Sequence, residues 1–127
     1  WRENTYDENG NELTHRDSSG YWCEYTYNKY DRQLSCKDSK GYWRERTYDE
    51  NGNELTYKSS EGYWRENTYD ENGNELTHRD SKGYWCEKTY DKYDGRLISL
   101  EDSKEGYHEC IYNSKGKYIL TEKIKRT

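Results

Sequence analysis

The sequence predicts an all-β chain. Sequential antiparallel β-hairpin repeats of 21 residues form an elongated twisted sheet, a solenoid or a part-closed shell. Three observations carry this expectation. Trp falls at 1, 22, 43, 64 and 85, an unbroken spacing of 21. The nine residues YDENGNELT occur at Tyr6–Thr14, Tyr48–Thr56 and Tyr69–Thr77. The apolar material is almost entirely aromatic, with 16 Tyr and 5 Trp against eleven Leu and Ile and no Val or Phe in 127 residues. So few aliphatic residues fall below the composition of ordinary globular domains. Periods of this length mark repeat architectures, in which each unit packs mainly on its neighbours.

The unit reads W-x-E-x-T-Y-D-E-N-G-N-E-L-T-x-x-D-S-x-G-Y, and residues 1–21 differ from residues 64–84 only at Ser19 against Lys82. Each unit holds two runs of alternating residues, one on either side of Asn-Gly. That dipeptide between strand-like runs predicts a two-residue type I′ hairpin turn. With Asn9-Gly10 at the turn, Tyr6 faces Leu13, Thr5 faces Thr14, Glu3 faces Arg16 and Arg2 faces Asp17. Each such pair contributes roughly 0.2–1 kcal/mol.

The second connection is Ser18-Ser19-Gly20. A unit with an odd number of residues keeps equivalent residues on one face only if one loop is odd. A three-residue loop ending in Gly, a type I turn closed by a left-handed residue, meets that condition. It pairs Asp17 with Tyr21, Arg16 with Trp22, Leu13 with Tyr25 and His15 with Cys23. Each unit then shifts the strands by two residues.

This register sorts the side chains onto two faces. Tyr6, Leu13, Tyr21, Tyr25 and Tyr27 share the side expected to be buried. The other side carries Trp22 beside Arg16, Trp43 beside Lys37, Trp64 beside Lys58 and Trp85 beside Arg79, with Glu and Thr between. A cation over an exposed indole contributes roughly 0.5–1 kcal/mol, so these eight residues are the candidate binding ladder.

The pattern drifts in unit 2, where YNKYDRQL lacks the Gly. It is broken by insertions in residues 96–106 and changes in HECIYNSKGKYILTEKI, which gains Ile111, Ile119, Leu120 and Ile124. His108 stands about where Trp is expected. The domain expectation is five hairpin repeats over 1–106 and a divergent capping hairpin over 107–127, since terminal repeats cover the open end of a stack. Trp1 starts in mid-pattern without a Met or a comparable cap, which reads as a segment of a longer or processed chain.

The net charge is −5, with 26 acidic and 21 basic residues interleaved. This gives no basic footprint for nucleic acid, and no stretch reads as a membrane span. Nearly every polar residue recurs in several copies, whereas an active site is normally singular; no catalysis and no cofactor are expected. Asp7–Glu12 begins like a calcium loop, but the positions that should hold Gly and the bidentate Glu hold Glu12 and Ser18. The pairs His15–Cys23 and His78–Cys86 supply two ligands each, too few for structural zinc, so no metal is expected. Cys23, Cys36, Cys86 and Cys110 do not form a disulfide framework, and free thiols are favoured over two bridges.

The run Y-D-E-N-G-N-E-L-T, followed by D-S-x-G every 21 residues in units 1 and 3–5, resembles the tyrosine–aspartate (YD) repeats of Rhs-type bacterial proteins. That resemblance implies β-hairpin sheets that wrap into shells. The chain is similar, with less specific motifs, to MORN-like antitoxin repeats and to cell-wall (choline/glucan) binding repeats, whose ligand cages would fall around Trp22, Trp43, Trp64 and Trp85.

The resulting expectation is a non-enzymatic structural or protein–protein interaction module of bacterial or phage type, binding another protein or itself. An inhibitor or immunity protein that captures one host enzyme is a specific case. Cell-wall carbohydrate or choline binding through Trp/Tyr cages is the other reading.

Overall fold

The computed structural model describes residues 1–123. The part of the expected cap that falls on Ile124 and beyond lies outside the described residues. Twelve strands follow one another in an open antiparallel sheet in sequence order. They are β1 (Arg2–Tyr6), β2 (Glu12–Asp17), β3 (Trp22–Tyr27), β4 (Gln33–Asp38), β5 (Trp43–Tyr48), β6 (Glu54–Ser59), β7 (Trp64–Tyr69), β8 (Glu75–Asp80), β9 (Trp85–Tyr90), β10 (Leu97–Asp102), β11 (Gly106–Tyr112) and β12 (Tyr118–Lys123). The chain divides into two compact units, Trp1–Arg65 and Glu66–Thr127.

In the first unit, β1 and β2 pair Arg2 with Asp17, Glu3 with Arg16 and Thr5 with Thr14, as the sequence predicts. The turn between them differs. Asp7 N–H donates to the Asn11 carbonyl at 2.8 Å, Gly10 N–H donates to the Asp7 carbonyl at 3.1 Å, and Gly10 has φ of 87°. Asn9 is not in the left-handed region, so the expected type I′ turn is replaced by a three-residue loop with Gly in the left-handed position. The Asp7 carboxylate explains the choice: its Oδ1 accepts from the N–H groups of Asn9 and Asn11, both at 2.9 Å. An Asx turn of this kind holds the type I conformation.

The expected Tyr6–Leu13 pair is also corrected. Tyr6 pairs with Glu12 and Thr5 with Thr14, leaving Leu13 as the extra residue of a β-bulge. The same bulge leaves Leu34 between Gln33 and Ser35, and Leu55 between Glu54 and Thr56. A three-residue loop alone would put equivalent residues of successive hairpins on opposite faces. The bulge adds the one residue that restores them.

Unit 2 makes this turn without glycine. Asp31 takes the left-handed position with φ of 66°. Asn9 and Asn11 hold it there, each donating its side-chain N–H to Asp31 Oδ1, at 3.1 and 2.8 Å. The second connection has the predicted form: Asp17 N–H donates to Tyr21 O and Gly20 N–H to Asp17 O, both at 3.1 Å, and Arg16 faces Trp22 while His15 faces Cys23.

In the second unit, β8 and β9 repeat the arrangement, with Arg79 opposite Trp85 and His78 opposite Cys86. The insertions lie in the loops. Asp91 N–H now reaches Arg96 O, one residue further than in the other copies. Ile98 is the bulge residue between Leu97 and Ser99, and Ile119 lies in the last bulge, between Tyr118 and Leu120. The register overturns one expectation: Glu101 pairs with Tyr107, and His108 with Leu100. Tyr107 therefore holds the Trp position, five residues after Asp102 as Trp85 is after Asp80, and His108 falls on the opposite face; Glu105 only displaces Gly-Tyr by one residue within that spacing.

The alternation of exposure fixes the sides. In β5 and β9 the Trp, Glu and Thr positions are exposed, while the intervening residues are half-buried or buried. Among the described residues Cys23, Cys36 and Cys86 are the buried apolar ones, on the tyrosine side. Among the described residues no side chain is fully buried. The stabilising layer is a half-covered mat of tyrosine rings and long polar side chains.

Candidate functional site

The exposed face is built from three rows. The first is hydroxyl pairs at the middle of the hairpins. Thr5 and Thr14 meet at 2.6 Å, Thr26 and Ser35 at 2.6 Å, Thr47 and Thr56 at 2.7 Å, Thr68 and Thr77 at 2.6 Å, and Thr89 and Ser99 at 2.5 Å. The second is charge. Lys37 Nζ lies 3.4 Å from Glu24, and Arg79 reaches Glu66 at 2.6 and 2.7 Å. The third is tryptophan, and the register puts Arg16, Lys37 and Arg79 opposite Trp22, Trp43 and Trp85. Lys58 lies opposite Glu45, and Trp64 begins the next strand.

Arg16, Lys37 and Arg79 therefore stand between a carboxylate on one neighbouring strand and an indole on the other. For Lys37 and Arg79 the close partner is the carboxylate. Such exposed pairs contribute at most about 1 kcal/mol.

The tryptophans are anchored by a feature the sequence reading missed. Ser39 N–H donates to the Trp22 carbonyl at 2.9 Å while Trp22 N–H donates to Ser39 Oγ at 3.2 Å. Ser60 and Ser103 clasp Trp43 and Trp85 in the same way. The Ser at this loop position thus satisfies both main-chain groups at the start of its own unit's first strand, which would otherwise be left open at a strand end. The recurrence of Ser after Asp was the available signal.

Cation–ring contacts form on the tyrosine side. The Tyr57 ring lies between the guanidinium carbons of Arg46 and Arg65, at 5.0 and 4.5 Å. Glu54 joins the same cluster, accepting from Arg65 at 2.8 and 3.1 Å and from Arg46 at 3.2 Å. The Glu54 carboxylate holds the Arg65 guanidinium well above its usual range. In the sequence this cluster shows as Arg46, Tyr57 and Arg65, where the positions 42 residues earlier hold Asn4, His15 and Cys23.

The histidines and cysteines sit on the same side. His78 Nδ1 lies 2.6 Å from Asn67 Oδ1, and its Nε2 lies 3.2 Å from Asp80. The Cys23 thiol donates to Tyr25 Oη at 3.0 Å, and that bond, with burial, pushes the Tyr25 phenol above its ordinary range. Burial likewise raises the Cys86 thiol. The four cysteines are free. Among the described residues no group of three or more His, Cys, Asp or Glu is placed to hold a metal ion. The turn carboxylates of Asp7, Asp49 and Asp70 bond inward to their own loops, and the N–H groups of Asn11, Asn53 and Asn74 hold them below the usual carboxylate range.

Two grooves follow from this relief. One of about 540 Å³ lies on the exposed face around Trp43. A smaller one of about 250 Å³ lies on the tyrosine side between Cys23, Cys36 and Arg44.

No family model and no curated protein matches the chain. Solved structures do match its fold. A crystal structure of TcdB2–TccC3–Cdc42 superposes with a TM-score of 0.63 at 17% identity, covering 94% of this chain and 7% of that one. A structure of TcdB2–TccC3 gives 0.62 at 15%, covering 92% and 7%. A Photorhabdus luminescens Tc holotoxin pore carrying a TccC3 mutation gives 0.64 at 17%, covering 94% and 7%. The chain thus spans about 7% of the length of the structures it matches. At this identity the likeness is one of fold.

Proposed function

We propose that the chain is a non-enzymatic repeat module whose exposed tryptophan face serves assembly, by engaging another protein or further copies of the same repeats. The observation that carries this reading is the row structure of that face. Thr pairs, charge pairs and tryptophans recur from hairpin to hairpin, so the polar groups form a surface rather than a single reacting centre. A surface of this kind suits extended contact, in which buried aromatics supply the energy and charge pairs set orientation. The YD-like motif, which resembles Rhs-type repeats, and the fold likeness to parts of Tc toxin complexes support a building-block role.

The binding residues on this reading are Trp22, Trp43, Trp64 and Trp85 with Arg16, Lys37, Lys58 and Arg79. The test is sedimentation velocity of the chain across concentration, alone and with a candidate partner, beside a variant carrying Lys37→Glu and Arg79→Glu. Association that weakens at least tenfold in the variant supports the reading. Association that is indifferent to both substitutions rejects this face.

A further inference from the structure

Arg44 sits half-buried on the tyrosine side of β5, with Cys36 opposite it on β4 and Ser59 opposite it on β6. The repeat supplies a carboxylate on both sides of this position, and here both are missing. Ser59 takes the place of Asp17, Asp38 and Asp80, and Gln33 takes the place of Glu12, Glu54 and Glu75.

The two other arginines at the same repeat position show what is lost. Arg2 faces Asp17, and Arg65 donates to Glu54 at 2.8 and 3.1 Å. Arg44 Nη2 donates instead to the Gln33 amide oxygen at 3.2 Å, a neutral copy of the Arg65–Glu54 bond. Cys36 and the Tyr42 phenol lie beside it and offer no carboxylate. Its Nε–H is closed off from water and has no partner. A cation drawn out of water needs a counter-charge, and an unfilled buried donor needs an acceptor.

We propose that Arg44 anchors a binding site for a small aromatic monocarboxylate. The site lies on the tyrosine side, so it stands independently of the assembly reading of the tryptophan face.

The space beside Arg44 suits the body of such a ligand. The groove of about 250 Å³ is lined by Arg44, Tyr21, Tyr25, Tyr42, Cys23 and Cys36. That volume is below the range of drug-sized sites and holds a single ring. Tyrosine rings receive another ring offset or edge-on, and a carboxylate takes a guanidinium in charge-assisted, forked bonds. The Nε edge of Arg44 is one side of such a fork.

The other charged groups on the groove limit the ligand to one negative charge. Asp38 borders it, with Oδ1 accepting from Lys40 and Tyr42 N–H at 2.9 and 3.2 Å and Oδ2 accepting from Tyr21 Oη at 3.4 Å. Lys37 is committed to Glu24 at 3.4 Å. A dianion such as phosphate would set its second charge against Asp38.

The test is calorimetric titration of the intact chain with benzoate, and with benzamide as the neutral isostere, at constant ionic strength with chloride as the balancing anion. Saturable binding of benzoate, at least tenfold tighter than benzamide, is expected. Gln33→Glu restores the carboxylate that the repeat carries, so it should occupy Arg44 from within. It should weaken benzoate at least tenfold and raise the unfolding midpoint of the free chain. Arg44→Gln should abolish the preference for benzoate over benzamide. Absence of saturable benzoate binding overturns the proposal, as does equal binding of benzamide. Benzoate binding that Gln33→Glu and Arg44→Gln leave as it was also overturns it. If Arg44→Gln does not fold, Gln33→Glu decides alone.

Discussion

Tyr27 Oη donates a hydrogen bond of 2.8 Å to the main-chain carbonyl of Glu12, the residue just before the Leu13 bulge of the preceding hairpin. Tyr112 makes the equivalent bond of 2.7 Å to Leu97, just before the Ile98 bulge. A bulge locally disrupts the strand ladder, and the phenol gives the carbonyl beside it a partner. The tyrosine of the YD motif thus reaches back one unit with its hydroxyl while its ring covers the sheet. Removing that hydroxyl leaves a part-buried carbonyl without this partner. Tyr27→Phe is expected to lower stability by about 1 kcal/mol. Tyr6→Phe should change it far less, because Tyr6 is 55% exposed. Chemical denaturation of both variants checks the difference.

Gly10 and Gly52 occupy the same turn position with φ of 87° and 88°, yet their surroundings differ. A methyl group at Gly10 meets nothing, whereas one at Gly52 would run into the Arg32 guanidinium from the neighbouring turn. Gly10→Ala is expected to cost about 1 kcal/mol from the left-handed backbone alone. Gly52→Ala should cost more, and Arg32→Ala should bring it back to the Gly10→Ala value. A double-mutant cycle on unfolding midpoints measures this.

Glu54 holds Arg46 and Arg65 on either side of Tyr57, and its side chain is 19% exposed. Glu54→Gln removes the shared counter-charge and leaves two guanidinium groups close together. The expected loss is about 1–2 kcal/mol, after discounting for the solvent that still reaches the arginines. Glu12→Gln, at the same repeat position, should cost less. Increasing salt should narrow the gap between the two variants, which thermal unfolding at low and high ionic strength would show.

Stability should fall on acidification. The carboxyls of Asp7, Asp49 and Asp70 are held below their ordinary value by the N–H groups of Asn11, Asn53 and Asn74. A depressed folded-state value means that the stabilisation is complete above the unfolded value near 3.9 and is lost as pH drops through the folded one. Unfolding midpoints should therefore be level from pH 7 to about 5 and decline below pH 4. Replacing all three residues with Asn should flatten the decline, since Asn accepts the same turn bonds without titrating.

Much of this fold was legible because the unit has an odd length. Parity, with the turn placed at Asn9-Gly10, put Thr5 opposite Thr14 and Arg16 opposite Trp22, and kept the tryptophans on one face. The Leu13 bulge was not legible for the same reason. A two-residue turn, and a three-residue loop followed by a bulge, give the same pairing from Thr5 onward, so register alone does not tell them apart. The signal that does is Asp7, whose carboxylate builds the longer loop. The Trp–cation neighbours of the candidate face could be read from spacing. The Arg46–Tyr57–Arg65 cluster could not, because it arises where two neighbouring strands depart from the consensus, at Arg46 and Tyr57, beside an arginine that the repeat carries in other units too. Tyr107 at the Trp position was hidden because Gly-Tyr comes one residue later after Asp102 than after Asp80, so His108 follows Gly-Tyr as Trp85 does yet lies on the other face.

The two loops of each of the first four hairpin units share one design, in which an aspartate or its stand-in begins a three-residue loop that ends in a left-handed residue. The bulge absorbs the odd residue within the unit itself. An in-frame duplication or deletion of one 21-residue segment therefore leaves every other side chain on its original face. For such a gene, copy number is a freely adjustable dial: recombination between the near-identical segments lengthens or shortens the protein without asking any strand to learn a new partner.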